Sequence, residues 1–210
     1  MGVGTLIVTF TIRDANPDLL GIQEPTAEQW AWLTDALGLG WSGVAHSRQD
    51  TIGTAPHLQG LFYRRGRLVR QGDGCFWLSD TPDIPGSVSF PQDWGARSGV
   101  WARLRDDRSG RDLLFAVTHL DTNGGAWTPS VRVLAAQLAR RAGETPVVLV
   151  VDFNCAGGSE AWRLLTGEGG FTDAWTAAGH ADEGVTTFNA FMPVNRLPLD
   201  DLPRLEQWMH

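Results

Sequence analysis

The chain has 210 residues, is 42% hydrophobic and 20% charged, and carries a formal net charge of −7. That length suits a single domain with a substantial core, and apolar runs no longer than a strand exclude a membrane-spanning helix. The acidic balance excludes a broad electrostatic grip on nucleic acid, while all 17 basic residues are arginine, which excludes Schiff-base and P-loop lysine chemistry. Arginine is also the better bidentate ligand for phosphate, so a local phosphate site stays open. Cys75 and Cys155 are the only cysteines, which fits a reducing cytoplasm better than a disulfide scaffold. The N-terminal Met-Gly-Val-Gly-Thr lacks the basic stretch of a secretory signal.

Thr5 to Arg13 reads as a strand and Leu19 to Glu24 as a second. Thr26-Ala27-Glu28-Gln29 is a capping box, and Trp30, Leu33 and Leu37 give the following helix an apolar face. Short strands are expected at Trp41 to Ala45, Gly60 to Tyr63 and Cys75 to Leu78. Val100 to Arg105 and Asp112 to His119 form two more, joined by the turn Asp107-Arg108-Ser109-Gly110. Thr128 caps a helix with Pro129 in its first turn and Val131, Leu134, Ala135 and Leu138 along one face. Val147 to Val151, five consecutive aliphatics, predicts a strand buried on both faces. A short helix near Ser159 to Leu165 follows. Hairpins thus mix with helical crossovers, and an α/β sandwich of two sheets covered by helices fits this order. The whole of 1–210 reads as one domain, with 196–210 an atypical tail.

Three strand ends carry polar residues. Gly21-Ile22-Gln23-Glu24 ends in a carboxylate before Pro25. The strand through Val117 ends with His119 and Asp121 on one face, and the strand through Val150 ends with Asp152 and Asn154 on one face. A glutamate, a histidine, two aspartates and an asparagine at strand termini make a hard-oxygen site suited to Mg²⁺ or Mn²⁺ rather than zinc. Each residue also has a plain structural explanation. Asp152 and Asn154 can form an Asx turn, Glu24 can be a solvated strand end, His119 a core imidazole, and Arg97 a surface charge. Trp77, Trp101 and Trp175 read as core filling, and Cys155 as a small buried residue. His46, His57 and His180 fall in loop-like stretches with no evident partner.

Taken together, Gln23-Glu24, Thr118-His119-Leu120-Asp121 and Val151-Asp152-Phe153-Asn154 resemble, in order, the motifs of the endonuclease/exonuclease/phosphatase superfamily of metal-dependent phosphoesterases. Phe62-Tyr63-Arg64-Arg65, the run Phe76 to Pro82, Trp101-Ala102-Arg103-Leu104 and Phe171 to Trp175 are similar to a bacterial, deadenylase-like branch. The resemblance implies a DNase-I-like two-sheet sandwich. It further implies that Glu24 holds a divalent metal, Mg²⁺ or Mn²⁺, and that His119 donates a hydrogen bond to a phosphate oxygen. Asp152 would orient or deprotonate the attacking water, Asn154 would hold the phosphate or that water, and Asp121 would support the site beside His119. Arg97 and Thr11 would stand near the phosphate.

The chain also departs from that pattern. Thr11 stands where relatives carry an asparagine, and only residues 14 to 18 separate the first two expected strands, too few for a parallel crossover. No Ser-Asp-His follows Thr187-Phe188-Asn189-Ala190-Phe191, so the sandwich is expected to be incomplete at its last strands. Two readings follow. One is a divalent-metal-dependent hydrolase of phosphodiesters or phosphomonoesters, its substrate a small molecule or a nucleic-acid 3′ end. The other is an impaired relative that only binds such esters.

Overall fold

The computed structural model describes residues 3–49 and 57–180. The chain divides into two compact units, Met1–Asn154 and Cys155–His210. The tail 196–210 and the Thr187 to Phe191 phrase lie outside the described residues.

The first unit begins with a helix, α1 (Val3–Ala15), where the sequence suggested a strand. β-Branched Thr, Val and Ile favour a strand locally, but tertiary packing decides: Ile12 is buried with Leu33, Trp41 and Phe62. The helix also accommodates the short 14–18 connection, which is ample for a helix-to-strand loop. Strand β1 (Leu19–Gln23) follows, then α2 (Ala27–Leu37). The capping box closes α2 as expected, with Thr26 Oγ1 accepting from the Gln29 N–H and Gln29 Oε1 from the Thr26 N–H. Strands β2 (Trp41–Ser47) and β3 (Leu58–Arg64) complete an antiparallel sheet of order β1-β3-β2. Trp30 of α2 stacks on Phe62 at 4.2 Å, a fit that needs glycine at 43 and 60 because a Cβ there would lie within 2.8 Å of the indole.

The second sheet runs β4-β5-β6-β7, formed by β4 (Leu68–Trp77), β5 (Ser98–Asp106), β6 (Arg111–His119) and β7 (Val147–Asp152). The first three are antiparallel, while β6 and β7 are parallel and joined by the crossover helix α3 (Gly124–Ala142). That helix starts four residues before Thr128, because Asn123 caps it with a side chain accepting from the Gly125 N–H; Pro129 lies inside it. β7 is the edge strand among the described residues, and alternate positions Val148 and Val150 are 43% and 38% exposed. The aliphatic run is therefore half-buried, not covered on both faces. An edge strand and a central strand can share the same apolar composition.

Val44, Leu61 and Tyr63 of the first sheet meet Val100, Ala102, Leu104, Phe115 and Val117 of the second in the core between the sheets. The sheets approach most closely at Gly21, where a Cβ would lie 2.9 Å from Val117 Cγ2. That contact places β1 over β6 and carries Glu24, just past β1, to the end of β6 where His119 stands. In the second unit, α4 (Glu160–Thr166) is capped by Ser159, and α5 (Ala174–Ala177) by Asp173. Trp175 is 43% exposed and stacks on His180 at 4.2 Å, so it is not core filling. Among the described residues no helix is long and apolar enough to cross a membrane.

Candidate active site

The chain leaves β1 through Glu24 at φ 59° and leaves β7 through Asn154 at φ 49°. Left-handed backbone is costly for a non-glycine residue such as Glu24, so the turn is held by its surroundings. The parallel register sets His119 opposite Asp152, and Leu120 N–H donates to Asp152 O at 2.9 Å. The three strand ends therefore bring Glu24, His119, Asp152 and Asn154 to one edge of the sandwich.

Asp152 and Asn154 form an Asx turn and also stand beside His119. Asn154 N–H donates to Asp152 Oδ1 at 3.1 Å, an Asx turn, while Asp152 Oδ2 lies 3.6 Å from His119 Nε2 with its side chain half exposed. Asn154 Nδ2 donates to Leu120 O at 2.9 Å and sits 2.7 Å from His119 Nε2. Glu24 Oε1 faces the other ring nitrogen, 3.5 Å from His119 Nδ1. Burial, followed by the Arg97 charge, pushes the imidazole down to about 4, against the opposing pull of Asp152 and Glu24.

Two almost fully buried arginines converge on the same carboxylate oxygen. Arg97 Nη1 is 3.7 Å and Arg48 Nη1 3.3 Å from Glu24 Oε1. Arg97 is anchored from behind by Asp121, whose Oδ2 accepts from Arg97 Nε at 3.1 Å. Asp121 is itself saturated: it accepts from the backbone N–H groups of Asp93, Trp94 and Asn123 at 2.9, 3.2 and 3.0 Å. Its position is that of a buried support for Arg97 rather than of a group open to a ligand. Arg97 Nη1 and His119 Nδ1 are buried and have no hydrogen-bond partner among the described residues.

Arg48 escaped sequence reading because a lone arginine after β2 carries no pattern; only the fold shows it buried beside Glu24. His57, at a loop end, also has a partner, Arg48 Nη2 at 3.2 Å from its Nδ1. His46 Nε2 lies 3.9 Å from Asp73 Oδ2. Thr11 does not join the site. It lies exposed on α1, and Asn16, just past that helix, contacts Arg64 at the opposite end of β3 from Gln59. Gln59 is a further residue that sequence reading missed: it pairs with Gln23, is fully buried, and neither atom of its amide has a hydrogen-bond partner among the described residues.

No protein-family model matches the chain. The sequence is 27% identical over 163 residues to Nocturnin of Drosophila melanogaster, covering 70% of this chain and 23% of that protein. The fold is similar to mannosyl-6-phosphatase of Bacteroides thetaiotaomicron, with TM-score 0.74, 23% identity, and coverage of 82% of this chain and 64% of that one. It is also similar to an endonuclease/exonuclease/phosphatase protein of Bacteroides vulgatus, with TM-score 0.71 and 28% identity over 78% of this chain and 62% of that one. The chain thus spans less than two thirds of each of these relatives. With its two sheets, flanking helices and ordered strand-end motifs, the chain is similar in fold and sequence to proteins of the endonuclease/exonuclease/phosphatase superfamily.

Proposed function

We propose that the chain is a divalent-metal-dependent phosphoesterase that cleaves a phosphodiester or phosphomonoester by attack of water. One observation carries the reading: two buried donors without hydrogen-bond partners among the described residues, Arg97 Nη1 and His119 Nδ1, lie 3.7 and 3.5 Å from a single Glu24 oxygen. Buried donors demand acceptors, and a phosphate with several anionic oxygens meets that demand. The fold relatives named as phosphatases support the same class of chemistry.

The donors present fit Mg²⁺ or Mn²⁺. No cluster of three or more His, Cys, Asp or Glu able to enclose a metal occurs among the described residues. Magnesium, however, takes one or two carboxylates and completes its shell with water and substrate oxygens. Glu24, half exposed with hard oxygen donors, is the residue that would hold it. When bound, the ion neutralises charge on a phosphate oxygen.

The remaining work falls to the chain's own residues. Arg97, with Arg48 beside it, faces the phosphate with charge that cannot be titrated away. His119 stays neutral and donates from Nδ1 to a non-bridging oxygen. Asp152, the carboxylate most open to solvent here, orients the attacking water and accepts its proton. Asn154 holds the imidazole from its Nε2 side, and Asp121 fixes Arg97. Turnover of p-nitrophenyl phosphate and bis-p-nitrophenyl phosphate with Mg²⁺ tests the reading. The wild-type chain should turn over at least one of them, and Asp152→Ala should lose about 10²-fold or more in rate; equal rates for the two proteins would sink it.

A further inference from the structure

Beside Arg97 the fold leaves one indole uncovered and yet holds it in place. Trp94 is 51% exposed, while its Nε1 donates to Thr122 Oγ1 at 2.9 Å. Its backbone N–H donates to Asp121 Oδ2 at 3.2 Å, the same oxygen that accepts from Arg97 Nε at 3.1 Å. One carboxylate oxygen therefore ties the backbone of Trp94 to the phosphate-facing guanidinium. Exposing so large an apolar ring to water is unfavourable, and a ring already fixed by its N–H loses little entropy when a ligand stacks on it.

The neighbouring residue gives the indole a polar companion. Asp93 donates its backbone N–H to Asp121 Oδ1 at 2.9 Å, and its Oδ1 accepts from Asn123 Nδ2 at 3.0 Å. The side chain is otherwise exposed, which leaves Oδ2 to solvent. A flat apolar face next to a carboxylate oxygen suits a hydroxylated ring, whose C–H face lies on the indole while a hydroxyl donates to the carboxylate. A nucleobase would use the indole but presents fewer donors to Asp93.

We propose that Trp94 and Asp93 form the subsite for the alcohol portion of the substrate, and that the substrate is a sugar phosphate monoester. This rests on the phosphoesterase reading above. In the reaction the oxygen of water bonds to phosphorus and the ester P–O bond breaks. The sugar oxygen leaves as a hydroxyl carrying one proton of that water, and inorganic phosphate keeps the rest.

Calorimetric titration of the Asp152→Ala chain, which slows turnover, tests this with inorganic phosphate, glucose 6-phosphate and adenosine 5′-monophosphate, each with Mg²⁺. Glucose 6-phosphate should bind at least about tenfold more tightly than either other ligand, the scale of a well-formed ring contact. Adding Trp94→Ala should bring glucose 6-phosphate to the affinity of inorganic phosphate without changing the latter. Trp94→Phe, which keeps a ring, should retain most of the preference and serves if the alanine variant folds poorly. Equal binding of glucose 6-phosphate and phosphate, tighter binding of the nucleotide, or a preference that survives Trp94→Ala would each overturn the sugar subsite while leaving the phosphate site intact. Failure of all three ligands to bind would refute the phosphate site, and this proposal with it.

Discussion

Asn154 fixes the tautomer of His119. Its Nδ2 donates to Leu120 O at 2.9 Å, a carbonyl that can only accept, so the amide nitrogen must lie on that side. The same nitrogen is 2.7 Å from His119 Nε2, which therefore accepts. The ring is neutral and carries its hydrogen on Nδ1, the buried nitrogen that faces Glu24. The tautomer thus leaves a donor, not an acceptor, where a phosphate oxygen would sit.

The neutral imidazole makes the first unit acid-sensitive. Unfolded, His119 takes up a proton near 6.5; folded, only near 4. The unfolded state binds more protons between those values, so stability is fully present above about 6.5 and falls as the pH drops toward about 4. Burial works against the Asp121 charge, but N–H groups of Asn123 and Asp93 and the Arg97 guanidinium outweigh it and hold that carboxyl below its ordinary 3.8. Its contribution is lost in turn as the pH falls below that value. Urea unfolding in chelator across this range should show the decline, and His119→Gln should flatten the upper part. A wild-type profile as flat as the variant's would contradict the assignment.

Asp121→Asn removes the charge behind Arg97 and leaves a buried guanidinium poorly paired. Breaking a buried pair from one side costs about 3–5 kcal/mol. Denaturant unfolding should show a loss of that order, with phosphate affinity falling alongside it. A loss within about 0.5 kcal/mol, the range of ordinary surface changes, would mean that the pair carries no such role.

How much of this was legible beforehand depended on whether the signal was local. Glu24, His119, Asp152 and Asn154 stood out because polar residues ended apolar strand runs, and their motifs came in family order. The helix α1 did not, since Thr, Val and Ile prefer strands locally and only contact with Leu33, Trp41 and Phe62 decided otherwise. Arg48 and Gln59 were invisible for a related reason: no local pattern distinguishes a buried arginine or glutamine from an exposed one. The edge position of β7 is likewise a property of the sheet, not of the run Val147 to Val151.

Gln59 should be a point of stored instability. Both atoms of its buried amide lack partners among the described residues, so Gln59→Met, similar in length and apolar, should stabilise the unit by about 1–3 kcal/mol. Thermal and urea unfolding measure this directly. A destabilised methionine variant would show that the amide is satisfied in solution.

Gly21 sets the distance between the sheets at the site. A methyl group there would meet Val117 and Val150, so Gly21→Ala should cost about 1–3 kcal/mol and shift Glu24 relative to His119. Weaker phosphate affinity in the presence of Mg²⁺ should accompany the lost stability. Unchanged stability would show that the contact relaxes freely.

His119 Nδ1–H and Arg97 Nη1 together make the phosphate site proposed above. Imidazole ¹⁵N–¹H NMR of the chain, titrated with inorganic phosphate and Mg²⁺, tests that site. His119 should be neutral and protonated on Nδ1, and that proton should move downfield as phosphate saturates the site. A ring protonated on Nε2, or an Nδ1–H signal unmoved by excess phosphate, would contradict it.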